Sequence, residues 1–209
     1  MSDANFEKIK AYFIDKLDQY GATPRGLDWN SVEAQEARFA QVTRVIDPKQ
    51  PFSILDYGCG FGSLYGYLQR QGLDFQYTGF DVLPAMIDKA GELLAGDPGV
   101  VLTTREEDLA PVDYVVECGV FNLKLEETFD AWQRYVVENV HKMDRLSRKG
   151  FAFTLLTSYS DPEYMKSNLY YADPTFYFDY CKRHFSRNVA LLHDYNVYDF
   201  TILVRKSMP

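Results

Sequence analysis

The stretch Ile54-Leu55-Asp56-Tyr57-Gly58-Cys59-Gly60-Phe61-Gly62-Ser63-Leu64 decides how the rest of the chain is read. Phe52–Tyr57 is a short apolar run with the character of a buried strand, and Ser63–Gln71 reads as a helix. Three glycines lie in the turn between them. Glycine removes side-chain bulk, so such a turn lets a ligand approach the backbone amides at a helix start. A dinucleotide fingerprint, G-x-G-x-x-G, would need its third glycine at position 63, where Ser63 stands. The pattern is instead Asp-x-Gly-x-Gly-x-Gly, with Asp56 two residues ahead of Gly58. A carboxylate at the loop entrance repels a pyrophosphate and suits an amino group or a positive charge.

Downstream, Phe75–Asp81 reads as a second strand, and Asp81 at its tip lies 19 residues after Gly62. An acid there is placed to accept hydrogen bonds from ribose hydroxyls. The chain then alternates: helix Pro84–Leu94, strands Val100–Thr104 and Val112–Glu117, and a long helix Glu126–Lys149 that Gly150 caps. Strand Phe151–Thr157, helix Pro174–Phe185 and a closing strand pair, Asn188–His193 and Val197–Arg205, follow. Such alternation implies a mostly parallel sheet with helices on both faces. The last pair is joined too tightly for a crossover, so the final strand should run antiparallel. Ligands of open α/β sheets sit beyond the carboxyl ends of the strands, here after Tyr57, Phe80, Thr104, Glu117, Thr157 and Leu192. Upstream, Asp3–Tyr20 carries Phe6, Ile9, Tyr12, Phe13 and Leu17 at helical spacing, and Ser31 is an N-cap before a second helix, Val32–Ile46.

A ribose and a cationic amino-acid moiety without phosphate describe S-adenosylmethionine. On these residues the chain resembles the class I S-adenosylmethionine-dependent methyltransferases over about residues 50–205. The resemblance looks closest to the small stand-alone bacterial members. It rests there on Trp29, Asn30, Ser31, Gln35, Arg38 and Phe39, then Phe121-Asn122, then Tyr170 to Pro174. It implies a Rossmann-like, doubly wound, mostly parallel α/β sheet with an antiparallel last strand and N-terminal capping helices. Residues 1–49 would form the cap and 50–209 the methyltransferase domain, together one compact unit. S-adenosylmethionine is the implied cofactor. Its expected contacts are Asp56, Gly58, Cys59, Gly60, Gly62, Asp81 and Glu117, with Trp29, Gln35 and Arg38 at the methionine end, where Arg38 would pair with the carboxylate.

Bland roles compete for these residues. Asp56 also suits a backbone-capping acid, Asp81 an N-cap for the next helix, and Cys59 a small residue filling a tight turn. Gln35 and Arg38 also suit the wet face of their helix. Glu107 and Asp108 compete to receive the adenine amino group. The segment Glu117-Cys118-Gly119-Val120-Phe121-Asn122 lacks the Asn/Asp-Pro-Pro-Tyr pattern that some family members use for amides and nucleobase amines. Nucleobase and glutamine acceptors are therefore disfavoured. Phe121, Asn122, Tyr171 and His193 are expected to form the acceptor chamber, with His193 as a candidate base, or else a structural histidine. The aromatic loop Ser158–Asp173 would cover the acceptor.

Composition narrows the partners. Of 209 residues, 22 are Lys or Arg and 30 are Asp or Glu, a net charge of −8 that repels nucleic acid. No apolar run approaches a membrane span, and residues 1–5 lack signal-peptide character, so a cytoplasmic protein is expected. Three scattered cysteines offer neither a disulfide framework nor a closed zinc site, and no metal is indicated. The expected activity is methyl transfer to an O or N atom of a small molecule. The alternatives are a protein or RNA methyltransferase and a catalytically silent cofactor-binding partner. The helices before Gln50 suit a cap over the cofactor or the arm of a homodimer.

Overall fold

The computed structural model describes residues 2–206. Two helices come first: α1 (Asp3–Tyr20), whose N-cap Ser2 accepts from the Asn5 amide, and α2 (Val32–Val42), capped by Ser31 through the Ala34 amide. Then follow β1 (Phe52–Tyr57), α3 (Ser63–Arg70), β2 (Phe75–Phe80), α4 (Pro84–Leu93), β3 (Val100–Thr103) and β4 (Val112–Val116). The second half holds α5 (Phe129–Leu146), β5 (Ser147–Thr157), β6 (Tyr171–Ala172), α6 (Pro174–His184), β7 (Asn188–Leu192) and β8 (Asp199–Arg205).

The sheet order is β3-β2-β1-β4-β5-β8-β7, and the short β6 pairs with the end of β5. β8 runs antiparallel to both β5 and β7, as the tight final connection predicts. The fold is therefore the expected doubly wound α/β sheet with a reversed last strand. One apolar core joins the sheet to α5 and α6 through Leu55, Val115, Trp132, Val140, Phe153 and Tyr177. The other joins it to α2 and α3 through Phe39, Val42, Ile54, Leu64 and Val116. Among the described residues no helix is long and apolar enough to cross a membrane.

The departures from the sequence expectation have local reasons. α2 ends at Val42 rather than Ile46, the chain tightening into a 3-10 turn over Thr43–Val45, and β8 begins at Asp199 rather than Val197. α5 starts at Phe129 rather than Glu126, because Thr128 supplies the N-cap and Leu125 takes a positive φ of 50°. Glu126 and Glu127 are instead used to hold α1, through Lys8 and Ser2. Gly150 does not cap α5. It lies inside β5, which follows the helix directly, and a Cβ there would stand 2.6 Å from the Val204 carbonyl oxygen on β8. β6 was not anticipated: two residues carry no detectable period, and only pairing with Leu156 and Thr157 defines them.

Candidate active site

The turn after β1 is held in place by the end of β2. The amides of Gly58 and Cys59 both donate to the Phe80 carbonyl, at 2.8 and 2.9 Å. Gly58, Gly60 and Gly62 have φ of 85°, 53° and 83°, a region where a side chain strains the backbone. They also permit close approach. A Cβ on Gly60 would stand 2.6 Å from Leu27, and one on Gly58 would collide with Val120. Asp81 ties the two strand ends together: its Oδ2 accepts from the Gly60 amide at 2.9 Å and its Oδ1 from the Leu83 amide at 3.0 Å. Each of these oxygens keeps a second lone pair for a ligand hydroxyl. Desolvation by burial pushes the Asp81 carboxyl up, against the two amides that hold its charge.

Above this turn lies a partly enclosed cleft, its space of about 910 Å³ counted together with the solvent at its mouth. Gly58, Gly60 and Asp81 form its floor and rim, and Val82, Leu83 and Met86 line one side. Tyr57, Phe80, Trp132 and Tyr135 supply aromatic walls, while Trp29, Cys118 and Gly119 close the end beyond β4. A Cβ on Gly119 would lie 2.5 Å from the Trp29 ring, so that glycine lets the indole settle there. Phe6, Ile9, Lys10 and Phe13 of α1 form the roof. The apolar stripe of α1 was visible in sequence, and a cap over the cofactor was one of the two roles expected for it; which of its residues line the cleft was not legible.

The remaining sequence candidates sit behind or beside the cleft. Asp56 is buried and accepts from the Tyr77 hydroxyl at 2.7 Å. Glu117 is fully buried; its two oxygens accept from the amides of Val120 and Thr154, at 2.5 and 3.2 Å, fastening the loop after β4 to β5. Cys59 is buried within the turn, with its thiol pushed up by burial. Gly62 starts α3 and packs against Leu94. Arg38 is buried against Asp199 of β8 and stacks on Trp29, its guanidinium carbon 4.7 Å from the ring centroid. A carboxylate therefore already occupies the guanidinium expected to meet the donor's own carboxylate.

The structure does not bring Asn122, Tyr171 and His193 to the cleft. Asn122 Oδ1 accepts from the Leu156 amide at 3.1 Å, and the Tyr171 hydroxyl accepts from the Lys166 amide at 3.0 Å. His193 is exposed, 6.0 Å from the ring of Tyr159. Phe121 is fully buried in the core. The loop expected as a lid is stitched down by β6 and by the Tyr170 amide donating to the Asn122 carbonyl. Glu107 and Asp108 are exposed and pair with Arg105.

Burial pushes the Asp56 carboxyl up to about 7, against the Tyr77 hydrogen bond, and Glu117 up to about 8, against three backbone amides. Their unfolded values lie near about 4. Between those limits the folded chain binds more protons than the unfolded chain, so stability falls as pH rises through the window. Each group contributes up to about 1.4 kcal/mol per pH unit. Urea titrations from pH 5 to 8 should show an unfolding free energy that declines across the range. A flat or rising profile would contradict the assignment.

Comparison with known proteins agrees with this geometry. A family model described as a methyltransferase domain matches residues 54–145. The Mycobacterium tuberculosis (strain ATCC 25618 / H37Rv) protein named "Putative methyltransferase Rv1506c" is 43% identical over 164 residues, 78% of this chain and 99% of its own. The N-methyltransferase NodS from Bradyrhizobium japonicum WM9, solved with S-adenosyl-L-homocysteine, superposes with a TM-score of 0.65 at 15% identity, covering 95% of this chain and 98% of that one. The Burkholderia thailandensis 1,6-didemethyltoxoflavin-N1-methyltransferase gives 0.62 at 17% identity, covering 100% and 92%. Fold, cleft and sequence relationship together define an enzyme of methyl transfer. The chain belongs to the class I S-adenosylmethionine-dependent methyltransferases.

Proposed function

We propose that the protein methylates an O or N atom of a small, largely apolar molecule held beside S-adenosylmethionine in the roofed cleft. The observation that carries this reading is the cleft itself. It is closed above by α1, walled by aromatic and aliphatic side chains, and carries one basic side chain, Lys10. A polymer recognised through phosphates needs an open basic track, which a net charge of −8 also disfavours.

The residues fit the donor. Asp81 offers free lone pairs to a ribose at the end of β2. Val82, Leu83 and Met86 provide an apolar seat for a base. Among the described residues neither the Gly58 nor the Cys118 carbonyl oxygen accepts a hydrogen bond, and both residues line the cleft. Those oxygens suit an ammonium group. Bound S-adenosylmethionine supplies a methyl group already activated on a sulfonium.

The chain's own contribution is placement. Aromatic walls hold the acceptor in line and exclude water, which supplies much of the acceleration in such a displacement. Burial pushes the Tyr135 hydroxyl up to about 12 and that of Tyr57 higher still, so neither is a base near neutral pH. An acceptor that presents a neutral lone pair, with its proton lost to solvent, matches these walls.

The test is a metabolite extract incubated with methyl-labelled donor and read by mass spectrometry. A small molecule gaining one methyl group supports the proposal. Label appearing in polypeptide or RNA instead would favour the polymer alternatives. Product binding without any transfer would favour a silent partner.

A further inference from the structure

Asp199 is the first residue of β8 and fully buried, and the rest of that strand is buried up to Arg205. Its partner is Arg38 of α2, itself buried. The contact joins the N-terminal segment to the reversed strand near the other end of the chain. Arg38 is held further by its own helix, donating to the Ala34 carbonyl at 2.7 Å, and its guanidinium carbon lies over the Trp29 indole. That indole in turn rests on Gly119 and forms the end wall of the cleft.

The pair is not arranged for stability alone. Arg38 Nε and Asp199 Oδ1 are both buried without a hydrogen-bond partner. A pair kept only for the fold would gain from satisfying those atoms or from replacement by apolar side chains. What the present arrangement supplies is direction. Asp199 fixes the guanidinium plane, and that plane fixes the indole, because a fork-shaped planar cation stacks on an aromatic face in a limited set of poses.

We propose that Asp199 is a positioning residue of the donor site, acting through Arg38 to hold Trp29 as the wall against which the donor is seated. The proposal rests on the donor occupying this cleft. It accounts for an acid that no sequence pattern marked, and it gives Arg38 a role one layer behind the ligand. The C-terminal strand then takes part in donor binding without touching the donor.

The chain has two tryptophans, so fluorotryptophan labelling gives two ¹⁹F signals, assigned by Trp29→Phe. Trp132 is anchored separately, its Nε1 donating to the Phe121 carbonyl at 2.8 Å, and serves as the internal reference. In Asp199→Asn the Trp29 signal should shift or broaden while the Trp132 signal stays. Affinity for S-adenosylhomocysteine should fall about tenfold by calorimetry. Arg38→Lys keeps the charge and loses the plane, so it should perturb Trp29 and weaken binding as well.

The double variant Arg38→Met/Asp199→Leu removes both buried charges. It should recover melting temperature but neither the Trp29 signal nor the affinity, which separates positioning from folding. An unchanged Trp29 signal or unchanged affinity in folded Asp199→Asn or Arg38→Lys overturns the proposal, as does full recovery of affinity in the double variant. If the wild-type protein fails to bind product, or Gly60→Val binds it normally, the donor-site reading falls instead. That failure is visible without any change at Asp199.

Discussion

Gly60→Val is expected to weaken binding of S-adenosylhomocysteine by more than about a hundredfold, to below calorimetric detection. A hundredfold loss corresponds to about 2.7 kcal/mol. Two effects add. The residue sits at φ 53°, where a β-branched side chain is a backbone outlier. Its Cβ would also stand 2.6 Å from Leu27, which packs with Phe61, Leu83 and Met86 over the glycine turn. Relief of either strain moves the Gly60 amide away from Asp81 and tilts the cleft floor. The same strain lowers the melting temperature, so affinity is read well below the transition on protein whose circular dichroism shows it folded. A dissociation constant within threefold of wild type would show that the turn is not the donor site.

Asp81→Ala should cost about 1.5–3 kcal/mol of donor affinity, the range for hydrogen bonds to a charged group. That is roughly ten- to a hundredfold in dissociation constant. The carboxylate accepts from the amides of Gly60 and Leu83 while turning its remaining lone pairs to the cleft. Asp81→Asn retains an acceptor oxygen for one of these partners, so its loss should be smaller than that of the alanine variant. Calorimetry with S-adenosylhomocysteine on proteins of matched melting temperature measures both. Equal affinity for wild type and Asp81→Ala would remove Asp81 from the site.

The donor side was legible in sequence because it is local. The turn after β1 and the acid ending β2 are set by short-range rules: glycines for positive φ, an apolar strand, an acid at a strand tip. Pairing between adjacent parallel strands then brings Tyr57 and Phe80 into register, which delivers Asp81 to Gly60.

The acceptor side was not legible, because distance along the chain says nothing about which side chains a loop keeps for itself. Asn122 and His193 follow strands at the carboxyl edge, and Tyr171 lies in β6 beside the end of β5. Yet Asn122 and Tyr171 are used by nearby backbone amides, and His193 faces out. The space above the donor turn is filled instead by Phe6, Ile9, Lys10 and Phe13 of α1. Their helical stripe is evident in sequence, but a stripe of apolar residues does not name the surface it meets.

By itself the sequence determined the alternation of strands and helices, the reversed final strand and the glycine turn with its downstream acid, because these depend on periodicity, chirality and local backbone conformation. Only the tertiary structure decided which residues of α1 roof the cleft, the clamping role of Glu117 and the pairing of Arg38 with Asp199. Each of these joins segments remote in sequence. A buried charge takes whichever opposite charge packing brings within reach, and no spacing along the chain encodes that choice.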